Sequence, residues 1–147
     1  MQTFPLDRTE TRDNFPHFLE IPTRWADHDE YGHVNNAKYH TLMEMVIMHY
    51  LTVANELDLA AGGVQCFTAE NLCRFHAPLK FPDVVEAGLR IGKLGNSSVR
   101  YEVGLFVKGR DEVAATGYFV DVFVEATSES ARRIPDNVRA CLEKLIP

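Results

Sequence analysis

Apolar residues recur along this chain with two different periods. From Asn36 onward, Tyr39, Met43, Val46, Ile47, Tyr50, Leu51 and Ala54 return at spacings of three and four. That is one apolar face on a helix of about five turns, and the pattern predicts that it ends near Leu57, ahead of Gly62 and Gly63. Beyond the glycine pair, four runs rich in Val, Phe, Tyr, Leu and Thr read as strands: Val64 to Ala77, Asp83 to Leu94, Ser97 to Lys108 and Glu112 to Glu125. Pro78 and Pro82, then Gly95-Asn96, then Gly109-Arg110-Asp111 punctuate them, so the runs are expected to pair in sequence as hairpins. His17 to Trp25 reads as a first strand, and Pro135 is placed to open a final helix at its first position, with Val138, Leu142 and Leu145 as its apolar stripe. Residues 1–16 carry Pro5, Pro16 and no periodicity, which describes an arm ordered only if it packs on a neighbour. The order β-α-β-β-β-β predicts one α+β domain over residues 1–147, because a long helix with one broad apolar face needs a curved sheet to cover it.

Composition narrows the partners. The 147 residues are 46% hydrophobic and 24% charged, enough for one real core, and the formal net charge is -6. That balance argues against general nucleic-acid binding, which relies on clustered Lys and Arg. No apolar run nears the roughly 20 residues that span a bilayer, and residues 1–15 lack a signal-peptide core, so a cytoplasmic protein without membrane association is expected. Cys66, Cys73 and Cys141 are odd in number and contain no Cys-x-x-Cys pair, which points to reduced, structural thiols.

The chemistry concentrates between Arg24 and Tyr39, where carboxylates, imidazoles and amides lie between a strand-like and a helix-like segment. Gly32 breaks the chain, and Asn35 and Asn36 are good N-cap residues. Asp29 and His33 therefore sit just before a helix N-terminus, whose unpaired N–H groups favour an oxygen that becomes negative, as acyl transfer requires. Read plainly, Asp29 is a loop or capping carboxylate, and Arg24 with Asp27 is a structural pair. His28, Asp29 and His33 lack the spacing of a metal site, and none is assigned.

The motif Asp27, Asp29, Gly32, His33, Val34, Asn35, Asn36, Tyr39 resembles the hotdog-fold acyl-CoA thioesterases of the 4-hydroxybenzoyl-CoA thioesterase type, whose members often carry Asp-x-Asp-x-x-Gly-His-Val-Asn-Asn-x-x-Tyr. The resemblance covers about residues 17 to 145. It implies a long central helix wrapped by a five-stranded antiparallel sheet, with a homodimer or homotetramer whose sites lie between subunits. It also implies hydrolysis of an acyl-CoA to free acid and CoA without cofactor. Asp29 would be nucleophile or general base, and a backbone N–H at Asn36 the oxyanion donor. His33 would touch the thioester or orient water, as in the related plant acyl-ACP thioesterases with their Asp-x-Asn-x-His arrangement, although this chain has Tyr31 where they have Asn.

Around that centre, Tyr31, Asn35, Tyr39 and Met43 are candidate substrate contacts, with core packing the alternative for the last two. Arg74 is the first of several possible CoA-phosphate donors, with Lys93, Arg100, Lys108, Arg110, Arg132 and Arg133. Ser97 and Ser98 resemble the family's Gly-x-x-Ser strand entry beside the pantetheine arm. Two other readings stay open at this level: hydrolysis of acyl-acyl carrier protein, and acyl-CoA binding without chemistry.

Overall fold

The computed structural model describes residues 4–147. Strand β1 (His17–Pro22) leads through a short 3-10 turn, Trp25–Asp27, to helix α1 (Asn36–Met48), which continues as a π-helical segment, His49–Ala54. Strands β2 (Val64–Phe75), β3 (Val84–Leu94), β4 (Ser98–Val107) and β5 (Val113–Glu125) follow, then helix α2 (Asp136–Glu143). All strands form one antiparallel sheet in the order β1-β3-β4-β5-β2.

Core alternation explains the layers. On β3, Val85, Ala87, Leu89 and Ile91 face α1, and on β4 Val99, Tyr101, Val103 and Leu105 do the same. They close over Met43, Val46 and Ile47, the predicted apolar face of the helix. A long helix lying on a curved antiparallel sheet is the hotdog arrangement that the motif implied.

The structure corrects four boundaries and one connection. β1 stops at Pro22, three residues early: the Thr23 N–H still reaches its in-register Asp83 carbonyl (3.1 Å), but the Asp83 N–H turns back to the Lys80 carbonyl (2.8 Å) and Arg24 to Asp27 form a one-turn capping box. The helix stops at Ala54 because the Asn55 backbone and side chain both donate to the Tyr50 carbonyl, at 3.1 and 2.8 Å. β2 ends at Phe75, since the His76 and Ala77 N–H groups both donate to the Ala114 carbonyl. Pro135 is the N-cap of α2 rather than its first helical residue. The larger difference is topological. β3–β4 and β4–β5 are hairpins as expected, but β2 pairs with β5 at the far edge, so the connection through Pro78 and Pro82 is a crossover. It is held by buried Leu79, whose carbonyl accepts the Val34 N–H at 2.7 Å.

The arm also packs on its own sheet. Phe15 is buried on the face opposite α1, against paired Gly88 and Gly104, where an added Cβ would come within 2.9 and 2.8 Å of its side chain. Beside it the Arg90 guanidinium is fully buried, bonded to Glu10 at 2.7 and 2.9 Å and to Glu102 at 2.7 Å.

Gly117 marks the tightest approach on the helix side. A Cβ there would lie 2.4 Å from the Leu72 carbonyl and 2.7 Å from the Met43 sulfur. Because backbone cannot yield as a side-chain tip does, Gly117→Ala is expected to lower stability in denaturant titrations by about 1–3 kcal/mol, the usual scale of overpacking.

Candidate active site

The loop from His28 to Asn36 is built by reciprocal hydrogen bonds. The Asp29 N–H donates to the His33 carbonyl at 2.8 Å, Gly32 turns the chain with φ of 77°, and His28 bridges to Val34. Asp29 Oδ1 accepts the Tyr31 N–H at 2.9 Å and, at longer range, the His33 N–H at 3.4 Å. Its second oxygen has no hydrogen-bond partner among the described residues. Arg24 and Asp27 do form the structural pair, at 2.6 Å, and the Arg24 hydrogen bonds hold the Asp27 carboxyl below its ordinary range.

Asn35 caps α1 through its side chain, which accepts the Ala37 N–H at 2.9 Å. The capped helix leaves the Asn36 N–H without a partner among the described residues. Asp29, His33 and Asn36 line one open cleft with Val34, Tyr39, Phe75 at the end of β2, and His76, Ala77 and Pro78 that follow it. A carboxylate with a free oxygen and a free helix-end donor thus share one space. Such a pair can bring an oxygen nucleophile to a carbonyl while the developing oxyanion is held.

Tyr39 is buried and its hydroxyl accepts the Leu79 N–H at 3.0 Å, tying helix to crossover under the cleft. Burial pushes its phenol above the ordinary range. Tyr39→Phe strands a buried N–H and is expected to cost about 1–3 kcal/mol, read as a shifted urea midpoint.

The other sequence candidates are dispersed. Tyr31 is 77% exposed beside Asp29, whereas Met43 is sealed in the core under Gly117. Arg74 donates to the Leu6 carbonyl at 2.9 Å and so holds the arm. Ser97 and Ser98 sit where β4 begins, paired near Val122, at the opposite end of the sheet from Phe75. The three cysteines are free, and burial raises the Cys73 thiol to about 11.

The motif missed the far wall. Phe75 meets Tyr39 edge to face at 4.9 Å, and Ala77 and Pro78 arrive from a crossover that local periodicity does not encode. Further along α1, Glu44 and Asp121 approach across helix and sheet, and burial raises both carboxyls. In the sequence, Glu44 stands one turn from His40 beside the apolar face, a local spacing that does not place Asp121 opposite it.

No helix of the described residues is long and apolar enough to cross a membrane. Among curated proteins, none matches this chain. The solved PA5185 protein from Pseudomonas aeruginosa is 42% identical, with 92% of this chain and 95% of that one covered and a TM-score of 0.87. BH1999 gentisyl-coenzyme A thioesterase is 26% identical over 86% of this chain and 99% of its own, with a TM-score of 0.75. A 1,4-dihydroxy-2-naphthoyl-CoA thioesterase from Synechocystis, 15% identical, shares the fold at a TM-score of 0.81, covering 87% and 96% of the two chains. The family model described as the thioesterase-like superfamily matches residues 23–142, which include the Asp29–Asn36 loop, α1 and the four strands β2 to β5, and the chain belongs to that superfamily.

Proposed function

We propose that this protein hydrolyses an acyl-CoA to the free carboxylic acid and CoA. One observation carries the reading: Asp29, with one oxygen unpartnered among the described residues, and Asn36, with its N–H likewise unpartnered, line the same cleft. The thioester carbonyl oxygen would take the Asn36 N–H, where the helix end stabilises negative charge. Asp29 then attacks the carbonyl carbon, expelling CoA thiolate to leave an anhydride that water opens, or it takes a proton from a water that attacks directly. Both routes consume one water and need the carboxylate ionised. His33, at the cleft wall, is assigned to the thioester or the water.

The functional unit is assigned as a homodimer or a homotetramer built from dimers. β2 is an edge strand, exposed along most of its length from Gln65 to Phe75, and an open edge favours pairing with a second copy. Antiparallel pairing of two β2 strands would bring one protomer's Ser97 end towards the other's cleft, which is the route by which Ser97 and Ser98 would line pantetheine. A cytoplasmic location accords with the three free cysteines.

The test is release of free thiol from short, medium, long and aromatic acyl-CoAs, with and without chelator, beside the same acyl group on carrier protein. Chelator-insensitive turnover of a CoA thioester is expected. Strong preference for the carrier would move the substrate, and binding without turnover of any thioester would overturn hydrolysis.

A further inference from the structure

The far wall of the cleft is a short span hung between two anchors. One is Leu79, whose carbonyl accepts the Val34 N–H at 2.7 Å and whose N–H donates to the Tyr39 hydroxyl at 3.0 Å. At the other end β2 leaves the sheet irregularly, since the His76 and Ala77 N–H groups share the Ala114 carbonyl, at 2.8 and 3.0 Å, in place of a regular ladder step. Pro78 has no N–H to add. Ala77 and Pro78 line the cleft with Asp29 and Asn36, so the width of that cleft depends on how firmly His76 is held.

His76 is held from the N-terminal arm. Its Nε2 lies 2.9 Å from Thr116 Oγ1, and the Thr116 hydroxyl donates to the Leu6 carbonyl at 3.0 Å. A carbonyl only accepts, so the hydroxyl gives its one proton to Leu6 and must accept from His76, which fixes the proton of the neutral ring on Nε2. Burial, with Arg8 and Arg74 and against Asp7, holds the imidazole below its ordinary range and so keeps the ring neutral. Thr116 is fully buried, where an unmade hydrogen bond is costly. Leu6 is buried as well, in the left-handed region at φ of 50°, with its N–H donated to Glu10 and its carbonyl shared with Arg74, both at 2.9 Å. A leucine keeps that backbone only where its surroundings over-determine it. Phe15 and the Glu10–Arg90 pair already dock the arm on the sheet; the Leu6 contact adds a line from the arm to the cleft wall.

We infer that His76 is a positioning residue for hydrolysis: the arm, through the Leu6 carbonyl and Thr116, locks the His76 ring and so sets the wall of Ala77 and Pro78 against Asp29 and Asn36. The inference rests on the acyl-CoA reading, and it extends the working parts to Leu6 and Thr116, neither of which lines the cleft. Loosening His76 misplaces the thioester between the carboxylate and the oxyanion donor, an effect on kcat rather than on KM.

Thr116→Val keeps the shape and removes the acceptor, whereas His76→Leu removes the donor and leaves Thr116 on Leu6. Each is expected to lower kcat for acyl-CoA about 10- to 100-fold, the scale of a misplacement of about 1 Å, with KM nearly unchanged. The double variant should be no worse than either single one. Thr116→Ser and His76→Gln, which keep the acceptor and the donor, should restore turnover. Leu142→Ala, a core truncation in α2, is the control for lost stability and should lower Tm without lowering kcat. Two measurements do not depend on turnover. Nitrogen NMR shifts of the imidazoles, assigned with His76→Gln, should place the His76 proton on Nε2, and hydrogen exchange at the Ala77 amide should speed up in Thr116→Val. Unchanged kcat in both single variants, additive losses in the double one, a proton on Nδ1 or unchanged Ala77 exchange overturns the proposal. So does a loss of kcat in Leu142→Ala equal to that in Thr116→Val, since the effect is then one of stability alone. If the intact protein hydrolyses no thioester, the thioesterase reading fails, and the ring tautomer and the Ala77 exchange still decide whether the arm holds the wall.

Discussion

Asp29→Asn is expected to lower kcat for acyl-CoA hydrolysis about 10²- to 10⁴-fold, the contribution of a positioned acid–base or nucleophilic group, without lowering the melting temperature. The asparagine keeps an oxygen where Oδ1 accepts the Tyr31 N–H at 2.9 Å, so the loop retains its brace. What the substitution removes is the negative charge on the oxygen that has no partner among the described residues. The Asn36 N–H is backbone and survives, which leaves residual turnover from oxyanion stabilisation alone. Thiol release measured beside a thermal melt separates the two effects. A folded Asp29→Asn protein with near-normal kcat across the acyl-CoA panel excludes the carboxylate mechanism.

The second large effect belongs to stability. Arg90→Leu leaves Glu10 without its cation in a sealed space beside Glu102, which keeps only the partly exposed Arg100 at 3.0 Å. Removing one partner of a buried ionic group typically costs about 3–5 kcal/mol. For a chain of this size that is a fall in Tm on the order of 10 °C, measurable by calorimetry. The same triad sets an acid limit. Burial would raise the Glu10 carboxyl, but hydrogen bonds from Arg90 and Asn14, with the Arg90 charge, hold it below the ordinary range. A carboxyl lowered on folding stabilises the native state above its unfolded pKa and loses that contribution as pH falls through the folded value. The wild type is thus expected to lose stability below the ordinary glutamate range. Replacing Glu10, Arg90 and Glu102 together by apolar residues should flatten that acid slope. It should also recover part of the loss seen in Arg90→Leu, because no uncompensated charge remains buried.

Legibility differed between the two faces of the sheet. On the helix side, a period of three to four placed α1 and its buried face, and runs of Val, Phe, Tyr, Leu and Thr between turn residues placed the strands, since both signals are local. On the other face, Gly88, Arg90, Glu102 and Gly104 interrupted the strand pattern with residues that make sense only once Phe15 and Glu10 lie over them. An arm without periodicity offers no local signal of where it docks. Arg74 shows the same limit, because its exposed-strand setting allowed a phosphate contact until the Leu6 carbonyl claimed it.

Within the site, the Asp29–Asn36 run was readable because turn, cap and helix start are all local: Gly32 supplies the positive φ, Asn35 the cap and Asn36 the free N–H. Its far wall was not readable. Phe75, Ala77 and Pro78 reach the loop only because β2 pairs with β5 and the chain then crosses to β3. Strand order depends on which edges meet after long loops close, a choice that hydrophobic spacing does not carry. The sequence by itself therefore determined the elements, the buried face of α1 and the turn, cap and helix start of the loop. Tertiary structure decided what stands opposite that loop, where the arm lies and which polar side chains are sealed, because these are settled by contacts between residues distant in the chain.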